Sequence, residues 1–304
     1  MPFARPDMLA PTPLDPHALR LQFDRRAPRF EEADFLLREV ERRALERLDY
    51  VKIQPRAILD VGCGLGAGAA ALAARWPDAE VVAIDQSPAM AARCAERVGE
   101  RAGFVGQLKR LFGAAPARGV RVCAADTHAL PFADASFDLL WSSMALHWFA
   151  DPLKALAEWR RVLRPEGLLM FDCLGVDSLR ALREAGAAMM RFHDMHDLGD
   201  ALVHAGFAEP VMDMETITLT YGDARRLLRD VRALGGDARR ERPRGLASRA
   251  GHRAALAAIE ATRDAPGAPI RLGLEIVQGH AWVPRQKRLP AGYAPVEFRP
   301  RPAS

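Results

Sequence analysis

The stretch ILDVGCGLG, residues 58 to 66, places three glycines in five positions directly after an apolar run. An alanine-rich helix former, GAGAAALAARW, follows at once. Strand, glycine turn and helix in that order bring backbone close to a ligand, because glycine alone accepts both the tight turn and the near approach. The rhythm then repeats through EVVAID, SPAMAARCAERV, VRVCAAD, FDLLWSS, PLKALAEWRRVL and GLLMFDCL. Short apolar strands alternating with helices predict an α/β fold with a doubly wound, mostly parallel sheet. Two later apolar segments, VMDMETITLTY and IRLGLEIVQGHAW, bring the expected sheet to seven strands.

The loop is shaped for an adenosine cofactor, and its details separate the alternatives. Asp85 closes the second strand about 20 residues beyond the loop, where a carboxylate can accept hydrogen bonds from two ribose hydroxyls. That spacing serves both dinucleotides and S-adenosylmethionine (SAM). A dinucleotide needs G-x-G-x-x-G to seat a pyrophosphate on the helix start. Here Gly62, Gly64 and Gly66 run as G-x-G-x-G, Gly68 leaves only an imperfect second frame, and Asp60 stands at the loop mouth. An acid there repels a pyrophosphate and suits the ammonium of a methionine moiety. An NAD-dependent dehydrogenase is therefore the weaker reading.

LDVGCGLG, ADTHALPFADASFDLLWSSMALHW and RVLRPEGLLMF, in this order, resemble the class I SAM-dependent methyltransferases over about half of the chain. The resemblance implies a Rossmann-like sheet with a helical lid, and SAM as cofactor. It implies that Gly62, Gly64 and Gly66 line the methionine portion with Asp60 at its amino end, and that Asp85 holds the ribose with Gln86 beside the adenine. Asp126 would accept from the adenine amino group next to the Thr127 backbone, and the Ser142 backbone would lie near the methionine part. A capping or turn role is the plainer alternative for each, and it is weakest for Asp60 and Asp85.

Outside this core the chain resembles a narrower group. LQFDRRAPRFEEADFLLREVERRALERLD, DMHDLGDALVHAGFAEPVMDMETITLTYGDARRLLRDVRALGG and the closing GHAW are similar to the malonyl-acyl carrier protein O-methyltransferases of biotin synthesis. That implies methyl transfer to the free carboxyl of a malonyl group on acyl carrier protein. An ionised carboxylate is already nucleophilic, so no general base is needed, and positioning with exclusion of water suffices. Candidates to hold the distal carboxylate are His147, Tyr221 and Arg25, with Arg26 and Arg232 as further cations. The same flanks also resemble the methyltransferase-like assembly factors of respiratory complex I, which implies arginine hydroxylation of a partner subunit as the alternative.

The rest of the chain bounds the reading. Its formal charge of +4 is carried almost wholly by arginine, concentrated in residues 224 to 253. Such a run reads first as a solvated face, and as a docking surface for an acidic carrier protein if the narrower resemblance holds. No nucleic-acid or membrane-inserted role is expected, and the cytoplasm is the default location. The four scattered cysteines predict free thiols. FHDMHD, residues 192 to 197, has the look of a metal cluster, yet an aspartate there is better placed to cap the amphipathic helix that follows, so no metal is expected. The expected layout is a loose tail over residues 1 to 20, a methyltransferase domain over 21 to 284 with lid elements near 177 to 262, and a loose tail over 285 to 304. Residues 101 to 119 are expected to be a surface insertion.

Overall fold

A computed structural model describes residues 14–32, 34–111, 119–184, 190–234 and 249–285. The chain enters through α1 (Pro16–Arg26) and α2 (Phe35–Arg47). It then alternates β1 (Ala57–Val61), α3 (Ala67–Arg75), β2 (Glu80–Asp85), α4 (Pro88–Leu111) and β3 (Val120–Ala124). After β4 (Phe137–Ser142) come α5 (Pro152–Val162), β5 (Leu163–Leu174), α6 (Arg180–Glu184), α7 (Met195–His204) and β6 (Ala208–Tyr221). Helices α8 (Ala224–Leu234) and α9 (Arg249–Glu260) precede β7 (Ile270–Trp282).

The seven strands form one sheet in the order β3-β2-β1-β4-β5-β7-β6. The first five pair in parallel, while β7 runs antiparallel to both β5 and β6. The doubly wound arrangement read from the alternation is the one observed.

Strand periodicity explains the two-sided core. Leu59, Val61, Ile84 and Leu140 face a layer that includes α5 and α7, through Leu156, Trp159 and Leu198. Ile58, Val81, Leu139 and Trp141 face α2, α3 and α4, through Ala44, Leu72 and Cys94. Neighbouring residues of one strand are thus buried on opposite faces, which is why β1 and β4 read as continuous apolar runs. Each fully buried leucine or isoleucine contributes roughly 1.5–3 kcal/mol. A third cluster joins Leu14, Leu19 and Val40 of the entry segment to Leu182, Leu227 and Ile259 beyond β5. It caps the carboxyl end of the sheet.

Several boundaries differ from the sequence reading. Residues 14 to 20 are not tail: Asp15 accepts from the His17 and Ala18 N–H groups and caps α1, with Pro16 in its first turn. Pro16 starts the helix, where its missing N–H costs nothing. The expected insertion at 101 to 119 begins as helix, since α4 continues to Leu111, and residues 112 to 118 lie outside the described ones. Of the expected lid, α7 packs in the main core through Leu198, Ala201 and Leu202, and β6 is the sheet edge. Asp194 caps α7, accepting from His196 N–H at 2.8 Å, as the helix-cap reading of FHDMHD requires. All four cysteines are free thiols. Among the described residues no helix is long and apolar enough to cross a membrane.

Candidate active site

Helix α3 leaves β1 toward one face of the sheet and α5 leaves β4 toward the other, so the two connections part and open a crevice at the strand ends. A cleft of about 940 Å³, its open mouth included, lies there. Its walls come from the β1 loop, the end of β2, the segment after β4 and the entry helices.

The glycine loop is built as a rigid edge. Gly62 and Cys63 N–H both donate to the Ile84 carbonyl, at 2.9 and 3.0 Å, which ties the loop to β2. Gly62, Gly64 and Gly66 all have positive φ, at 77°, 51° and 75°. A Cβ on Gly64 would meet nothing within 4 Å, so this residue presents bare backbone to the cleft. Asp85 closes the floor: one carboxylate oxygen accepts from Gly64 N–H at 3.0 Å and the other from Ser87 N–H at 2.8 Å. Burial pushes the Asp85 carboxyl up to about 6, against the pull of those two N–H groups. Its remaining lone pairs stay available to ligand hydroxyls.

The entry helices complete the site. Asp24 of α1 accepts from Ser87 Oγ at 2.6 Å and from Ala89 N–H at 3.2 Å, so α1 is latched to the start of α4 beside Asp85. Phe23 meets Trp148 edge to face at 5.5 Å, and both line the cleft with Met144 and Phe149. Helix α2 adds Arg38, which pairs with Asp34 at 2.9 Å, and Glu41.

Of the residues expected from sequence, Asp60, Gly62, Gly64, Asp85, Gln86 and Thr127 meet on the cleft wall. Thr127 is 1 % exposed, and its Oγ1 makes no hydrogen bond among the described residues. Gly66 stands behind the wall at the start of α3, where a Cβ would lie 2.4 Å from Cys94 Sγ. Asp126 turns outward: its side chain is 65 % exposed and accepts from His128 N–H, the turn role that was its alternative. Ser142 is fully buried and donates to the Val61 carbonyl at 2.9 Å, and the wall there is formed by Ser143, Met144 and Ala145.

His147, Tyr221 and Arg25, the expected carboxylate holders, are not among the residues that line the cleft wall, and the Tyr221 hydroxyl is buried without a hydrogen-bond partner among the described residues. His147 is buried, packed between Trp148 and Phe192, and burial, then the nearby His193, lowers it to about 3. Its Nδ1 accepts from Leu174 N–H, so the ring is neutral and cannot serve as the expected cation. Tyr221 is buried with Leu227 and Ile270, and burial raises its phenol to about 12. Arg25 is exposed on α1, and Arg232 is exposed in the last turn of α8. Arg26 is the buried cation of the pair: its Nη1 has no partner among the described residues, and burial lowers its pKa.

Sequence reasoning missed Asp24, Arg38 and Glu41, charged residues brought to the site by the entry helices, and Arg97 of α4. Helical spacing was the available signal, since Asp34, Leu37, Arg38 and Glu41 line the cleft at the i, i+3, i+4, i+7 positions of one helix face.

The residues present suit SAM. The cleft has bare backbone at Gly64, a carboxylate floor at Asp85, an unpaired hydroxyl at Thr127 and acids, Asp60 and Glu41, for a cationic end.

Comparison with known proteins agrees with this geometry. Residues 59–171 match the family described as "Methyltransferase domain". A malonyl-[acyl-carrier protein] O-methyltransferase of Methylovorus sp. is 43 % identical over 299 residues, spanning 96 % of this chain and 97 % of the relative. Its counterpart from Laribacter hongkongensis is 42 % identical over 296 residues, 94 % and 96 % of the two chains. Among solved structures, YcgJ of Bacillus subtilis superposes with a TM-score of 0.56 at 18 % identity, over 80 % of this chain and 98 % of that one. The [4+2]-cyclase SpnF gives 0.51 at 21 % identity, over 81 % of each. A cyclase on the same scaffold shows that these superpositions report the fold and leave the reaction to the site. The extent of the sequence match fixes the family: this chain belongs to the malonyl-[acyl-carrier protein] O-methyltransferases, which are SAM-dependent methyltransferases.

Proposed function

We propose that this enzyme methylates the free carboxyl of a malonyl group carried on acyl carrier protein, the step that admits the malonyl unit to biotin synthesis. The observation that carries this reading is the likeness to enzymes of that name at above 40 % identity across nearly the whole chain, lid region included. The complex I assembly-factor alternative, with a respiratory subunit as partner, is not favoured by these relatives. A cytoplasmic location goes with the preferred reading.

In this mechanism SAM supplies a methyl group on a positively charged sulfur. Asp85 would accept from the ribose hydroxyls, Gln86 and Thr127 would lie toward the adenine, and the Gly62 to Gly64 backbone with Asp60 would receive the methionine end. Phe23, Met144, Trp148 and Phe149 form an apolar wall that excludes water from the acceptor side. A carboxylate stripped of water is a stronger nucleophile and needs no base, which agrees with a neutral His147. The exposed arginines of α8, Arg225, Arg226, Arg229 and Arg232, form a basic face over its buried Leu227, Leu228 and Val231. That face would receive an acidic carrier protein.

Intact-mass analysis of malonyl-acyl carrier protein incubated with enzyme and SAM tests the proposal. One added methyl is expected, and it should vanish with Asp85→Ala. Unmodified carrier in the presence of enzyme shown to bind SAM would overturn it.

A further inference from the structure

Helix α2 brings Glu41 to the cleft wall, where no cofactor motif calls for an acid. A Cβ on Gly68 would lie 2.3 Å from Glu41 Oε1 and 3.3 Å from Asp60 Oδ2. The two carboxyls therefore converge over one glycine, from α2 and from β1, and both line the cleft. The Trp141 indole nitrogen from β4 lies 3.0 Å from the same point. Around them, Asp172 of β5 adds negative charge toward Glu41, and Asp85 of β2 and the Cys94 thiol add it toward Asp60. The opposing cation is Arg97 of α4, which is held by Glu31 at 3.2 Å.

Two carboxyls this close in a buried setting cannot both be ionised cheaply, so they titrate as a pair. Burial, then Asp60 and Asp172, pushes Glu41 up to about 8, and burial pushes Asp60 well above the usual carboxylate range. The cleft is also one prepared for a ligand, since Thr127 Oγ1 is unpaired on its wall and Gly64 leaves its backbone bare.

We propose that Glu41 and Asp60 form one two-carboxyl seat for the methionine ammonium of SAM, holding a shared proton in the free enzyme and releasing it when the ammonium arrives. The proposal rests on the SAM reading of the cleft. No bond to the cofactor forms: a proton leaves to solvent, and a pair with one negative charge becomes a pair with two, facing the ammonium. Because binding releases a proton, affinity for SAM rises with pH, by up to about tenfold per pH unit below the titration of the free pair.

The test is titration calorimetry of SAM into the full chain at several pH values from about 6 to about 8, in buffers of different ionisation enthalpy. Wild type should release close to about one proton where the pair is half-neutralised, with affinity rising as pH rises. Glu41→Gln should lose most of that release and flatten the pH dependence of Kd while still binding SAM, and a thermal melt checks that it is folded. Binding by wild type without proton release at any of these pH values overturns the proposal and needs no variant. Release in Glu41→Gln equal to that of wild type overturns it as well. Absence of SAM binding to wild type in every buffer is the separate result that removes the cofactor reading, and the seat with it.

Discussion

Alanine substitutions at Gly62 and Gly64 separate the loop's part in folding from its part in binding. Both residues have positive φ, so either alanine pays about 1–2 kcal/mol for left-handed backbone. Their surroundings differ. A Cβ at position 62 would sit 2.4 Å from the Ala145 Cβ, far inside contact distance, so loop and β4 segment must part. Overpacking of that kind adds about 1–3 kcal/mol. Gly62→Ala should therefore lose about 2–5 kcal/mol, a fall in Tm on the order of 4–20 °C for a chain of this size. At position 64 the Cβ would meet nothing, so Gly64→Ala should lose only the backbone strain, roughly 2–8 °C. The same open space is where the proposed cofactor site lies, and a methyl group intruding there should weaken SAM binding by about tenfold or more. Differential scanning calorimetry with SAM titration on both variants reads the two effects apart. If Gly64→Ala melts as early as Gly62→Ala, or binds SAM like wild type, the assignment of this loop to the cofactor is wrong.

Three further outcomes follow from the site. Asp85→Asn should weaken SAM binding by about 10- to 100-fold in a direct binding assay, because charge-assisted hydrogen bonds contribute about 1.5–3 kcal/mol each. Glu41→Gln should alter stability against pH in the free enzyme. The folded carboxyl titrates near 8 against an ordinary 4.5, so its contribution is intact below about 4.5, falls as the unfolded chain ionises, and levels off above about 8. Up to about 5 kcal/mol is at stake, and the variant should be the more stable protein in denaturant titrations at about pH 8. A paired Arg225→Glu and Arg229→Glu variant should raise KM for malonyl-acyl carrier protein by about tenfold and leave Kd for SAM unchanged. Equal loss of both affinities would mean that α8 supports the fold and does not dock the carrier.

What the sequence disclosed, and what it withheld, follows from how local each determinant is. Strand, glycine loop and helix lie within twenty residues, and their interactions are mostly with near neighbours: Gly64 reaches Asp85 across one strand pair. Period and turn chemistry were therefore enough to find them. Asp126 and Ser142 show the limit of that reasoning. A motif places a residue at a strand end, but a one-residue change decides whether it faces the cleft, and there Thr127 and Ser143 hold the wall. The tail boundary shifts for a related reason, since the Asp15 cap followed by Pro16 opens a helix inside the expected tail.

The wall formed by the entry helices was harder to read because its residues are joined only by tertiary packing. Phe23 and Trp148 are separated by most of the core domain and meet because Asp24 fixes α1 to the start of α4. Glu41 reaches the cleft because α2 lies along the sheet face that carries Asp60 and Trp141, with Gly68 leaving room for the carboxyl. Only helical register sets Glu41 apart from Glu39 two residues earlier, which stays at the surface and pairs with Arg42 and Arg43. The same burial that admits Glu41 excludes His147: a ring that gives its Nδ1 to a backbone N–H within the core is held neutral and turned to structural use. Polar residues near a motif are thus sorted into binding and structural roles by desolvation. Desolvation is a property of the assembled layers, so the glycine-loop wall of this cleft was legible in the chain and the entry-helix wall was not.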